Sequence, residues 1–190
     1  MEMLDIVNEQ GEPTGEQVER TEAHSRGILH RTSHVWIARV RDDRPQILLQ
    51  KRSANKDSHP GCYDISSAGH IPAGYGFEES AIRELREELG IYVTEQELIP
   101  CGFRRIRFSQ EFHGKQFMDN QYSNVYLLWH DCEIEELRIQ KEEIESAMWI
   151  DYEECCDKVK SNAFPHCIWM EELNMIKSEL YRKKVIGDSM

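Results

Sequence analysis

Apolar and polar positions change period several times along the chain, and each change predicts an element. Leu4 to Gly15 reads as a short strand, L-D-I-V, entering the turn N-E-Q-G-E-P-T-G, and Arg20 to Leu29 leads into a stronger strand over Ser33 to Val40. Ile47 to Gln50 is its antiparallel neighbour across R-D-D-R-P, because turn residues bound the apolar run on one side and K-R-S on the other. A polar loop, Ser53 to Gly61, follows. From about Glu78 to Leu89 the period becomes helical: Ala81, Ile82, Leu85 and Leu89 share one face, and Gly90 supplies a left-handed stop. Further strands are predicted at Leu98 to Ile106, Asn124 to Trp129 and Ala147 to Ile150. Helices are predicted at Glu153 to Lys160 and Pro165 to Lys184, the second with Ile168, Trp169, Leu173, Ile176 and Leu180 at helical spacing. Strands interleaved with helices predict an α/β class, a mixed sheet between helical layers.

The central helix carries an electrostatic anomaly. Glu84, Glu87 and Glu88 stand i, i+3 and i+4 in its C-terminal half, where the partial charge of the helix end is also negative. Each like-charge pair costs a few tenths of a kcal/mol, and the helix end adds roughly 0.3 to 1 kcal/mol. Arg83 and Arg86 offset part of this without removing the crowding around Glu84 and Glu88. A divalent cation removes it: Mg2+ takes oxygen ligands and keeps several waters, so carboxylates on one helical face beside a glycine-rich loop suit it.

Composition narrows the classes. A chain of 190 residues is long enough to bury a core without staples, and residues 1–190 are expected to form one domain. Thirty-five acidic against 23 basic side chains give a net charge of -12, which argues against a nucleic-acid duplex or an anionic membrane as main partner. The N-terminal segment is acidic and polar, without the basic start and apolar core of a secretory signal, and no apolar run spans a bilayer; a cytoplasmic location is expected. Cys62, Cys101, Cys132, Cys155, Cys156 and Cys167 lack a zinc-like C-x-x-C pair and read as reduced thiols.

The stretch G-H-I-P-A-G-Y-G-F-E-E-S-A-I-R-E-L-R-E-E-L-G-I, from Gly69 to Ile91, resembles the signature of the Nudix hydrolases. Gly69, Arg83, Glu84, Leu85, Glu87, Glu88, Gly90 and Ile91 fall on it; the family's first Glu falls on Tyr75, which puts the bracing of the loop in question more than the chemistry. The resemblance implies an α/β/α sandwich over roughly residues 30 to 160, with residues 1–30 as an N-terminal extension and 165–190 as a C-terminal helix. It implies Mg2+-dependent cleavage of a diphosphate in a nucleoside-diphosphate-type or coenzyme-type small molecule, with Mn2+ as an alternative ion. Glu84 and Glu88 are then the leading metal ligands, with the carbonyl of Ala68 completing the shell. Glu87 binds a second ion or helps deprotonate the nucleophile. Glu143, from the E-E-I-E loop ahead of the last strand, is the candidate base, and Arg31, Lys51 and Arg52, with Lys56 behind them, are the candidate phosphate-binding cations. Homodimerisation is left open.

The flanking runs E-A-H-S-R-G-I-L-H-R, L-L-Q-K-R-S and S-S-A-G-H are similar to a subgroup containing isopentenyl-diphosphate isomerases and related hydrolases. The isomerase needs a Cys before its G-H pair, where this chain has Ala68, and an acid in a second region, where Asp119, Asn120 and Gln121 put an amide. His24, His30 and His70 resemble its histidine-held metal site, with His24 and His30 one residue too close. Hydrolysis is therefore the expectation; the isomerase and an inactive ligand-binding module are the alternatives. Phe103, Phe108, Phe112, Phe117 and Tyr122 read as sheet core before stacking surface.

Overall fold

The computed structural model describes residues 2–187. The N-terminal run is a hairpin, β1 (Met3–Val7) against β2 (Pro13–Glu19), and the expected lead-in after it is a helix, α1 (Arg20–Arg26). Alpha-helical periodicity is hidden in so short and polar a segment. Its termini carry the order: Glu19 accepts from the amides of Thr21 and Glu22, and Gly27 closes the end at φ 64.

Strand β3 (His30–Arg41) starts three residues before the predicted strand and pairs with three neighbours: antiparallel with β4 (Arg44–Arg52), antiparallel with β6 (Ser67–His70), and parallel with β8 (Lys115–Trp129). The two-residue β5 (Tyr63–Asp64) pairs with β4, as does β9 (Ile144–Asp151), and β7 (Leu98–Phe112) closes the other side against β8. The sheet runs β5-β4-β3-β8-β7, with β6 and β9 off that path. It is the mixed sheet that the pattern predicts. Strands β7 and β8 are much longer than the apolar runs that announce them. Their outer halves are polar and meet at a turn in which His113 and Gly114 both have positive φ, 52 and 73.

Helix α2 (Phe77–Glu84) covers one face of the sheet, packing Ala81, Leu85 and Leu89 on Val35, Ile37, Leu48 and Tyr126. Helices α3 (Tyr152–Lys160) and α4 (Met170–Gly187) cover the other, with Cys155, Val159, Leu173, Ile176 and Leu180 against Trp36, Leu49 and Leu127. The helices bury most of their predicted stripes, giving the α/β/α arrangement; the last starts at Met170, five residues after the predicted Pro165, and leaves Trp169 before it 49% exposed. The predicted central helix is not α throughout: Leu85–Leu89 is a π-turn, and Gly90 ends it at φ 71. All six cysteines are free.

Candidate active site and metal centre

A cavity of about 1150 Å3 opens between β6, the C-terminal end of the α2–π-turn segment, the β7–β8 hairpin and α4. Among the described residues β6 pairs with β3 alone, so its outer edge faces this space. Glu84, Glu87 and Glu88 all line it. Glu84 lies over Gly69, where a Cβ would collide with its side chain, and Arg83 Nη2 donates to Glu84 Oε1 at 2.5 Å and to the His70 carbonyl at 3.3 Å. Glu88 is 5 % exposed, and Ser67 Oγ donates to its Oε2 at 2.9 Å.

The π-turn gives the site its third wall. The last carbonyls of a helix have no intrahelical partner, and here, where the π-turn ends, the Leu89 and Glu88 carbonyls accept from the amides of Arg138 and Gln140. That docks the loop before β9 beside the glutamates, bringing Glu142 and Glu143 to the cavity. Lys56 Nζ pairs with Glu143.

Burial sets the charge state. Loss of water, then the neighbouring Glu84 carboxylate, push Glu88 up to about 8; burial also raises Glu84, with Arg83 pulling the other way. A buried Glu88 and a partly buried Glu84 whose charge raises the proton affinity of its neighbour, with cavity access, fit a hard divalent ion. Glu87 is half exposed beside Arg86 and fits an outer or second-ion role.

The other candidates lie as follows. Arg31 does not reach the cavity: its Nη2 donates to Asp5 Oδ2 and to the Tyr75 carbonyl, both at 3.0 Å, while Asp5 also accepts from the Gly74 amide at 2.8 Å. Arg31 and Asp5 thus brace the loop at the position where the signature's first Glu is missing. Glu78, in the first turn of α2, accepts from the Tyr126 hydroxyl at 2.7 Å. Lys51 also lies off the cavity, on Glu145 at 2.7 Å. Arg52 lines it, but bonds Asp64 Oδ2 at 3.0 Å and the Ser58 carbonyl at 3.1 Å. Ala68 lines it in register with His34.

His24, His30 and His70 come together, one ring nitrogen of each lying within 4.8 Å of the others. His24 Nε2 and His70 Nε2 are 2.9 Å apart, and His30 Nδ1 donates to the Ile28 carbonyl at 2.8 Å, which leaves His30 Nε2 buried with no partner. Burial lowers His24 to about 3 and His30 to about 4, and pulls His70 well down, so all three are neutral imidazoles. Neutral rings with two orphaned nitrogens, His24 Nδ1 and His30 Nε2, and one backbone-anchored N–H fit a transition-metal ion. Asp119, 3.7 Å from His24 and pushed up to about 7 by burial, stands beside them. The spacing from His24 to His30 is taken up by the Gly27 turn, which linear spacing does not reveal. Phe108, Phe112 and Phe117 line the cavity rather than the sheet core, with His24 stacked on Phe117 at 4.2 Å; Phe103 is 54 % exposed.

Sequence reasoning missed Ser67 and a buried group, His34, Arg104 and Glu172, on the cavity floor. One signal existed: Glu172 stands four residues before Ile176 on the apolar stripe of α4, where a charge is out of place.

A NUDIX domain is matched over residues 30–171. Nudix hydrolase 3 of Arabidopsis thaliana is 41% identical over 158 residues, 80% of this chain, which spans only 20% of that protein's length. An uncharacterized Nudix hydrolase of Clostridium acetobutylicum is 35% identical over 153 residues, covering 80% of this chain and 71% of that one. Another, from Listeria monocytogenes, is 30% identical over 178 residues, 94% of this chain and 96% of that one. Among solved structures, a Deinococcus radiodurans protein shares the fold with a TM-score of 0.66 at 23% identity, over 93% of this chain and 98% of that chain. The NUDIX domain of Shewanella oneidensis NrtR, complexed with ADP ribose, shares it at 0.56 and 12% identity, over 86% and 99%. With the signature glutamates gathered on a cavity, the fold in place and relatives of this identity named as hydrolases, the chain belongs to the Nudix family.

Proposed function

We propose that this chain is a Mg2+-dependent hydrolase that cleaves a diphosphate linkage in a nucleoside-diphosphate-type or coenzyme-type small molecule. The observation that carries the reading is the pair Glu84 and Glu88: two carboxylates, largely buried side by side at the cavity edge, with Arg83 on Glu84 and Ser67 on Glu88. Glu84, Glu88 and the Ala68 carbonyl are the proposed ligands. When bound, the ion neutralises diphosphate oxygens and lowers the pKa of an attacking water.

The protein's own groups do the rest. Glu143, or Glu87, accepts the proton of the attacking water; Lys56 pairs with Glu143 at the cavity wall. Arg52 and Lys56, the cations that line the space nearest this pair, orient phosphate oxygens, with Arg52 held by Asp64. Arg31 and Lys51 support this layer from outside it. His24, His30 and His70 supply a second metal position of different chemistry, suited to Mn2+ or Zn2+. That position is the one observation favouring kinship with the isomerase subgroup. Proton shuttling across a double bond is disfavoured, because Ala68 carries no acid or base and Gln121 engages Thr32 through Oε1 at 3.3 Å.

A panel of nucleoside diphosphates, nucleotide sugars and coenzymes, assayed with Mg2+ for the phosphomonoester products and, for nucleoside diphosphates, inorganic phosphate, tests the reading. Turnover of at least one, lost in Glu84→Gln, is expected; turnover undiminished in that variant would remove Glu84 from the metal site. Isopentenyl diphosphate should give no dimethylallyl isomer, and formation at about 1 per second or faster would reinstate the isomerase.

A further inference from the structure

Three buried groups on the cavity floor serve neither the glutamate centre nor the histidine cluster. Glu172, on α4 just beyond the matched residues 30–171, is 2% exposed. Its Oε1 meets His34 Nδ1 at 2.7 Å and Arg104 Nη1 at 2.9 Å, and its Oε2 accepts from Trp36 Nε1 at 3.1 Å. Burying a carboxylate costs several kcal/mol unless it is paired and hydrogen-bonded, and apolar side chains fasten a helix to a sheet as well. A tether is therefore a poor account of so complete a set of partners.

What the set does is fix one imidazole and aim one guanidinium donor. Both His34 and Arg104 line the cavity. Glu172 takes the Nδ1 side of His34, and its Nε2 then faces only Thr32 Oγ1, at 3.4 Å, a hydroxyl already 2.6 Å from Ser123 Oγ. Arg104 gives Nε to Glu171 at 2.9 Å and Nη1 to Glu172, so Nη2 is the donor left for a ligand. Its guanidinium lies 5.2 Å from the ring centre of Trp169, which is 49% exposed at the same cavity.

We propose that His34 and Arg104, positioned by Glu172, form a subsite that reads an acceptor oxygen on the group attached to the diphosphate. Preferred substrates then carry a carbonyl, carboxylate or further phosphate oxygen there, and a bare hydrocarbon group is rejected because it leaves the buried Arg104 donor unpaired. The inference rests on the hydrolase reading for where the diphosphate lies.

Two probes decide it: uridine diphosphate, whose base carries carbonyls, and dimethylallyl diphosphate, whose attached group is hydrocarbon. For the unmodified full chain with Mg2+, kcat/KM is expected to favour uridine diphosphate by at least about 10-fold, the scale of one charge-assisted hydrogen bond. Arg104→Gln and Glu172→Gln should each shrink that ratio, chiefly through KM, and Arg104→Lys should restore only part of it. A merely structural Glu172 would lower activity on both probes alike. Equal or reversed preference in the unmodified protein overturns the subsite without recourse to any variant. Should no diphosphate be hydrolysed, the hydrolase reading falls by itself, and calorimetric Kd values for the same two compounds then decide the subsite: tighter uridine diphosphate supports it, equal affinities end it.

Discussion

Glu88 shows how far a single side chain's environment departs from its sequence context. On a helical wheel it belongs to the polar face; in the fold it is buried against Ser67, with Glu84 close enough to raise its proton affinity. Because its folded value is raised from 4.5 to about 8, the metal-free folded state holds the proton more tightly than the unfolded chain does. Stability without metal should therefore fall as pH rises through that window, and Glu88→Gln should remove most of the fall. Melting curves of the two proteins from pH 5 to about 9 check this. Binding of Mg2+ must displace the same proton, so affinity should rise with pH up to about 8. Calorimetry in two buffers of different ionisation enthalpy should detect proton release near pH 7; no release would mean that Glu88 is already ionised. Hydrolysis should drop roughly 100-fold or more in Glu88→Gln, as when other groups that stabilise transition-state charge are lost. The histidines carry the opposite sign. His24 and His30 are depressed to about 3 and about 4, so their contribution is present above 6.5 and is lost as pH falls toward those values.

Between elements, two contacts set the site. Gly69 on β6 lets the Glu84 side chain lie against the strand, and a methyl there meets it head-on. Gly69→Ala should thus impair Mg2+-dependent hydrolysis far more than it lowers the melting temperature, and normal turnover would show that Glu84 can relocate. The N-terminal hairpin enters through Asp5, which clasps Arg31 and the Gly74 amide. Asp5→Ala strands a buried guanidinium, a loss of about 3 kcal/mol or more, and frees the loop at Gly74 and Tyr75. Denaturant unfolding should register the destabilisation, and proteolysis near Tyr75 should quicken. If neither changes, the brace lies elsewhere.

At the scale of the molecule, a chain of net charge -12 folds with its signature glutamates converging on one cavity. An ion that binds only the folded state stabilises it by about 2.7 kcal/mol at a hundred times its dissociation constant. Mg2+ or Mn2+ should therefore raise the melting temperature by several degrees, and Glu88→Ala should erase most of that shift. A melting temperature indifferent to millimolar divalent ions, together with absent catalysis, would favour the ligand-binding module. Zn2+ stabilisation that survives in Glu88→Ala but not in His30→Ala would separate the histidine position from the glutamate one.

Sequence alone determined the α/β class, the helix that presents Glu84, Glu87 and Glu88, its Gly90 stop and the pairing of the strands around R-D-D-R-P. These follow from periodicity, turn chemistry and like-charge crowding, which are local and survive in one dimension. Tertiary structure alone decided which charges face the cavity. Arg31 and Lys51 read as cations beside a site, yet strand register points Arg31 at Asp5 and Lys51 at Glu145. His34, Arg104 and Glu172 lie far apart along the chain, and only the packing of α4 on the sheet makes one polar floor of them. The π-turn is likewise invisible in L-R-E-E-L, because the loop amides of Arg138 and Gln140 that satisfy its last carbonyls come from a distant segment. Burial is a property of what surrounds a residue, and so the proton affinities on which this chemistry rests had to wait for the fold.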